Sequence, residues 1–178
     1  SISINSAGGS SSFFINGVLE NRGIFDVNHH FTLNVTGAGA NTHSNTGTIT
    51  IADGATLTVE GGDTLINQPG GIITGDGDLD FSSGTFINKG YMFVGGDFVA
   101  GDMTITGDMT AQESSSLVME LGGVVQASGY DHMNVTGTLN LAGTLDVQFI
   151  NGFTPSDGLA MNILSASSLA GIFFNIVG

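Results

Sequence analysis

Four segments decide how this chain folds: Asn21-Arg22-Gly23-Ile24-Phe25, Asn45-Thr46-Gly47-Thr48-Ile49, Asn67-Gln68-Pro69-Gly70-Gly71-Ile72 and Asn88-Lys89-Gly90-Tyr91-Met92-Phe93. Each is an Asn, a Gly-containing turn and then an apolar run. The four Asn stand 24, 22 and 21 residues apart. Short runs between them alternate apolar residues with Thr or Asp, as in Thr48-Ile49-Thr50-Ile51, Thr56-Leu57-Thr58-Val59 and Asp78-Leu79-Asp80-Phe81. Alternation of period two, broken by Gly, Asn and Asp, predicts many short strands.

A unit of 20–24 residues holding two or three short strands cannot bury an apolar face alone, whereas stacked copies can. The repeat therefore predicts an all-β fold, a single-stranded parallel β-solenoid (right-handed β-helix) of about 20–24 residues per coil. Its coils would lie ~4.8 Å apart. Glycine would serve the corners, where a positive φ excludes a Cβ, and the repeated Asn would stack as an amide ladder. A β-sandwich with coincidental Asn-x-Gly turns is the alternative. Two regions are expected: solenoid coils over 1–112 and a C-terminal β-rich closing module over 113–178, where the pattern changes.

Composition narrows the function. The chain has 178 residues, 29 of them Gly, with 2 basic residues (Arg22 and Lys89) against 16 acidic ones, a formal charge of -14. Such a surface cannot neutralise a phosphate backbone, which excludes nucleic acid as a partner. It is repelled by anionic membranes, and no apolar run is long enough for membrane insertion as a helix. The absence of Cys removes disulfide scaffolds and thiolate chemistry. No signal peptide opens the sequence, so an exported protein would be represented by a processed chain.

The acids offer one metal hypothesis. Asp53, Asp76 and Asp97 recur at offsets of 8 or 9 residues from the repeat Asn, and a column of them at one corner would repel itself unless hydrated or bridged by calcium. Asp76-Gly77-Asp78-Leu79-Asp80 begins like a calcium loop, but Phe81 stands where that loop needs Gly. Asp53, Asp76, Asp78 and Asp97 are therefore the candidate calcium ligands, solvated corner acids being the plainer reading, and no other cofactor is expected. His29, His30 and His43 fall close enough in the repeat to approach one another as a metal site. Neighbouring strand residues point to opposite faces, however, which argues against His29 and His30 sharing a ligand set, and surface histidines are the plainer reading. His132 has no evident partner. No Gly-x-Ser-x-Gly elbow is present, and the only two basic residues sit in solvated turns, so no enzyme is expected. Asn34 and Asn134 open glycosylation sequons, used only in a host that modifies them.

The end of the chain carries a rhythm of its own: Tyr130-Asp131, a strand from Met133 to Gly137, Leu141-Ala142-Gly143-Thr144-Leu145, Gly152-Phe153-Thr154-Pro155, a strand from Met161 to Leu164, and Gly171-Ile172-Phe173. This last third resembles the terminal β-solenoid segment of bacterial surface and secreted proteins, of the autotransporter-passenger or sorting-signal type. The resemblance implies a solenoid architecture and an extracellular or cell-surface location. The barrel or hydrophobic sorting tail of that family does not follow Gly178, which leaves removal of those parts or a stand-alone secreted module as the expectations.

Both ends read as uncharged β-formers. Ser1, Ile2 and Ile4 form one alternating strand, and Ile172, Phe173, Phe174, Ile176 and Val177 form an apolar one. Strands of this kind suit head-to-tail joining. The expected function is a non-enzymatic structural protein, a homopolymer subunit of a surface filament, sheath or matrix. An adhesin passenger binding an extracellular glycan or host protein is the alternative, and a polysaccharide lyase or hydrolase the third reading.

Overall fold

The computed structural model describes residues 2–4, 13–37 and 39–178, the first three as backbone alone. The chain winds through strands and turns, with no helix among the described residues. The first coil holds β1 (Ile2–Ile4), β2 (Phe13–Ile15) and β3 (Glu20–Asn21). The second holds β4 (Ile24–Val27), β5 (Phe31–Leu33) and β6 (Thr42–Asn45), and the third β7 (Thr48–Ile51), β8 (Thr56–Val59) and β9 (Thr64–Asn67). The fourth has β10 (Ile72–Gly75), β11 (Asp78–Asp80) and β12 (Thr85–Asn88), the fifth β13 (Tyr91–Val94), β14 (Asp102–Thr106) and β15 (Met109–Ala111). The sixth consists of β16 (Ser116–Leu121) and β17 (His132–Leu141), the seventh of β18 (Thr144–Phe149) and β19 (Leu164–Gly171), and β20 (Asn175–Val177) follows.

Each strand pairs in parallel with its counterpart one coil away. The result is an all-β parallel solenoid with three columns of strands. Column one runs β1-β4-β7-β10-β13-β16-β18-β20. Columns two and three merge in the sixth coil, because β17 is long enough to pair with β14 through its first half and β15 through its second. The same columns continue across Gln112 and Glu113 into the C-terminal region. The step per coil changes there, from between 18 residues (Phe13 to Phe31) and 26 (Leu79 to Ile105) up to between 28 (Ser116 to Thr144) and 31 (Thr144 to Asn175).

Strand alternation sets the core. In β7, Ile49 and Ile51 are fully buried while Thr48 and Thr50 face outwards. Parallel in-register pairing then stacks like on like: Phe25, Ile49, Ile73, Met92 and Leu117 form one inward file of column one. Phe25 meets Phe31 edge-on at 5.1 Å between ring centres, and Phe81 stacks on Phe86 at 4.9 Å, so aromatic pairs fill the corners between columns. Each such side chain contributes about 1.5–3 kcal/mol by leaving water.

The Asn repeat forms the predicted ladder. Asn21 Nδ2 donates to Asn45 Oδ1 at 2.7 Å, Asn45 to Asn67 at 2.8 Å and Asn67 to Asn88 at 2.8 Å. The second proton of each amide goes to a backbone carbonyl, of Thr48, Ile72 and Tyr91 respectively. The ladder stops where Asn88 is followed by Ala111 in the register. The positive φ expected of corner glycines is found at Gly54, Gly70, Gly75 and Gly95, but three glycines of the Asn turns act differently. Gly47, Gly71 and Gly90 do not have a positive φ. They are required because successive corners touch backbone to backbone: a Cβ on Gly47 would overlap the Gly23 carbonyl, and one on Gly90 that of Gly71.

Candidate functional site

The two ends of the stack are the first place to look. Ser1 lies outside the described residues. Ile2 and Ile4 pair in register with the buried Phe25 and Val27. At the other end Ile176 continues the inward file of column one, beside Leu145. Its side chain is 71 % exposed, since among the described residues nothing packs beyond it. Ile172 and Phe174 are also mostly exposed and Val177 is half-exposed, whereas Phe173 packs partly against the core. Leu169 extends the inward file of column three past Leu139 and is exposed in turn. The last coil thus presents an apolar cross-section of the core.

The second feature is an acidic corner between columns one and two. Asp53 lies in the turn from β7 to β8, and Asp76 in the turn from β10 to β11, so both fall on one corner in successive coils. They line a groove of about 220 Å³ with Asp102 and Ala127. Burial holds the Asp76 carboxyl above its usual range, and the charges of Asp53 and Asp102 push the same way, opposed by a bond from the Asp102 backbone. Asp76 Oδ1 is buried without a hydrogen bond.

The other two predicted ligands lie elsewhere. Asp78 faces outwards and accepts the Thr104 N–H at 3.0 Å. Asp97 borders a shallow depression with Thr48, Ile72, Thr74 and Phe93. Among the described residues, no three His, Cys, Asp or Glu side chains are placed to hold a metal ion.

Two acids that sequence reasoning passed over sit deepest at this corner. Glu120 alternates with the core residues of β16 and is 1 % exposed; it accepts the Phe98 N–H at 2.8 Å, while its Oε2 is buried without a partner. Asp131 is fully buried and accepts two backbone bonds, from Gly101 at 2.8 Å and Glu120 at 2.7 Å. Burial raises its carboxyl to about 7, aided by the charges of Glu120 and Asp76 against those two bonds. A lone acid inside the apolar run Leu117-Val118-Met119-Glu120-Leu121 was the signal for Glu120, and the Tyr130-Asp131 pair that for Asp131.

Two histidine readings need correction. His43 is buried rather than on the surface: Leu19 N–H donates to its Nδ1 at 3.0 Å, and its Nε2 meets Asp63 at 3.3 Å. Burial lowers its pKa, against the pull of Asp63. The Asp63 carboxyl is held below its usual range despite burial, because Asn41, Val35 and His43 all bond to it. His132, left without a partner by the sequence, is bonded through both ring nitrogens, to Asp102 and Ser165. Of the basic residues, Arg22 forms an exposed pair with Glu20 at 3.0 Å.

Comparison with family models, curated proteins and solved structures returns no match.

Proposed function

We propose that this protein is a structural β-solenoid of the cell exterior, a subunit of a filament, sheath or matrix in which the coils of one copy continue into the next. The observation that carries this reading is the register of column one. That register runs from Ile2, paired with Phe25, to the exposed Ile176, and every strand in the column points the same way. A second copy can therefore add its β1 to β20 as one further parallel rung, extending the backbone ladder and covering Ile172, Phe174 and Ile176. A heterologous contact of this kind does not close, so it produces a linear polymer.

The acidic, Thr-rich exterior supports a hydrated extracellular setting, as does the resemblance of the last third to surface-protein segments. The role is mechanical: backbone hydrogen bonds run along the whole axis.

Light scattering over a concentration series tests this. The full chain should grow in mass with concentration, and Ile176→Lys should remain monomeric, since a buried unpaired charge at the joint is costly. A wild-type chain of constant monomeric mass would overturn the reading.

One observation favours adhesion as a second reading. Tyr91 is 45 % exposed and stacks with Phe93 on the flat outer face of column one, beside Thr74. Aromatic faces next to hydroxyls suit a neutral sugar ring. A glycan array probed with wild type and Tyr91→Ala separates this reading from the first: binding lost with the ring supports it, and no binding removes it.

A further inference from the structure

Three polar side chains from three successive coils meet on the outer face of column two. Asp102 opens β14, and His132 stands beside it in register at the start of β17. Ser165 lies on β19, paired with Asn134, so it is diagonal to His132. Their chain neighbours Met103 and Met133 are fully buried and Leu164 packs against the core, which turns Asp102, His132 and Ser165 outwards together. Asp102 Oδ1 is 2.9 Å from His132 Nδ1, and His132 Nε2 is 3.2 Å from Ser165 Oγ.

A carboxylate only accepts, so it fixes the proton on Nδ1 and turns the Nε2 lone pair towards the serine hydroxyl. The hydroxyl has a second acceptor in Asn134 Oδ1 at 2.9 Å and can give its single proton to either. A nucleophile within reach of a base that is itself oriented by a third group is the arrangement that activates serine.

The edge of β19 supplies a further part. Met133 N–H bonds to the Ile163 carbonyl, and the alternation of a parallel ladder then turns the Ala166 N–H towards the side of β19 away from β17. That donor lies on the opposite side of Ser165 from His132, where an oxyanion formed at an attacked carbonyl would need it.

The geometry points to Ser165 as a nucleophile for acyl transfer from small, uncharged carboxylic esters, with His132 as its base and Asp102 as a positioning residue. Ser165 Oγ gives its proton to His132 Nε2 as the Oγ–C bond forms at the ester carbonyl. The tetrahedral intermediate collapses with cleavage of the C–O bond to the alcohol, which leaves with the proton from His132. Water, deprotonated by the same nitrogen, then releases the carboxylic acid and restores the serine. Asp53 and Asp76, which share the groove of Asp102, disfavour anionic acyl groups. The site does not rest on the assembly reading: the Ala166 N–H is open on the edge of β19 in the unassembled chain, and a second copy stacked on that edge would compete for it.

The test is labelling of the full chain with an uncharged alkyl fluorophosphonate, read by intact mass and peptide mapping, together with turnover of p-nitrophenyl acetate. One adduct on Ser165 is expected, absent in Ser165→Ala and retained in Ser167→Ala, whose hydroxyl bonds only to the Thr136 carbonyl nearby. His132→Gln should slow labelling by about a hundredfold or more. Asp102→Asn should lower kcat with KM unchanged, as a group that orients the base would. No adduct on Ser165 in the folded wild type, or labelling of His132→Gln at the wild-type rate, overturns the proposal. Should His132→Gln not fold, the wild-type and Ser165→Ala chains decide it by themselves.

Discussion

Asn67 meets several demands at one buried point. It accepts from Asn45, donates to Asn88 and gives its second proton to the Tyr91 carbonyl, fully buried. Replacing it takes a partner from one donor, Asn45 Nδ2, and from two acceptors, Asn88 Oδ1 and the Tyr91 carbonyl, so Asn67→Ala should cost about 2–3 kcal/mol or more, read as a lower urea midpoint. His43 is a second such point. Protonation of its Nδ1 would set an N–H against the Leu19 N–H, in an interior that already disfavours the charge. Its ring resonances in NMR should therefore remain those of neutral imidazole as pH falls through 6.5, where an exposed histidine titrates. At this scale the sequence revealed what repeats and hid what does not. The Asn ladder shows itself in a spacing, whereas His43 and Asp63 are one pair 20 residues apart. Ser165 and His132 lie 33 residues apart and Asp102 and His132 30, values that acquire meaning only once the longer C-terminal coil is known.

The corners and loops govern the elements. Gly101 lies against Asp76, and a Cβ there would overlap the carboxylate and the Gly95 backbone. Gly101→Ala should therefore destabilise the chain by about 1–3 kcal/mol, as overpacking does, and disturb the link between β13 and β14. Asp131 ties the neighbouring corner by accepting from Gly101 in the fifth coil and Glu120 in the sixth. Its folded carboxyl, near 7, lies above the usual 3.8, so the unfolded chain releases that proton first. Stability from this group is full at low pH and lost as pH rises through that window, with no further change above it. In urea unfolding, wild type should lose ground to Asp131→Asn between about pH 4 and 7; a difference constant across that range would show that Asp131 does not titrate there. Strand positions and the solenoid class were legible because alternation and repeat length are properties of local sequence. The acidic corner was legible in half: Asp53 and Asp76 keep the offset of the repeat. Asp97 leaves the column because the loop before Gly101 carries it to another face, and Glu120 and Asp131 enter from a coil whose length breaks the count.

Across the whole molecule, inward files of side chains run through successive described coils, and in the proposed assembly their order would make the two ends compatible. Phe25, Ile49, Ile73, Met92 and Leu117 are covered on both sides by neighbouring coils; among the described residues Ile176 has a neighbour on one side only. Each added coil lowers free energy through the same two terms, ladder hydrogen bonds and apolar burial, and in the proposed assembly a second copy would offer both at the joint. The charge of -14 works against side-by-side clumping of copies, which in the proposed assembly would leave the axis as the direction of growth. The most direct measurement is electron microscopy of concentrated protein followed by fibre diffraction of aligned material. End-to-end stacking would give unbranched filaments one solenoid wide, with strands across the axis and a meridional reflection at ~4.8 Å. Discrete monomers at every concentration, or filaments without that axial reflection, would contradict it.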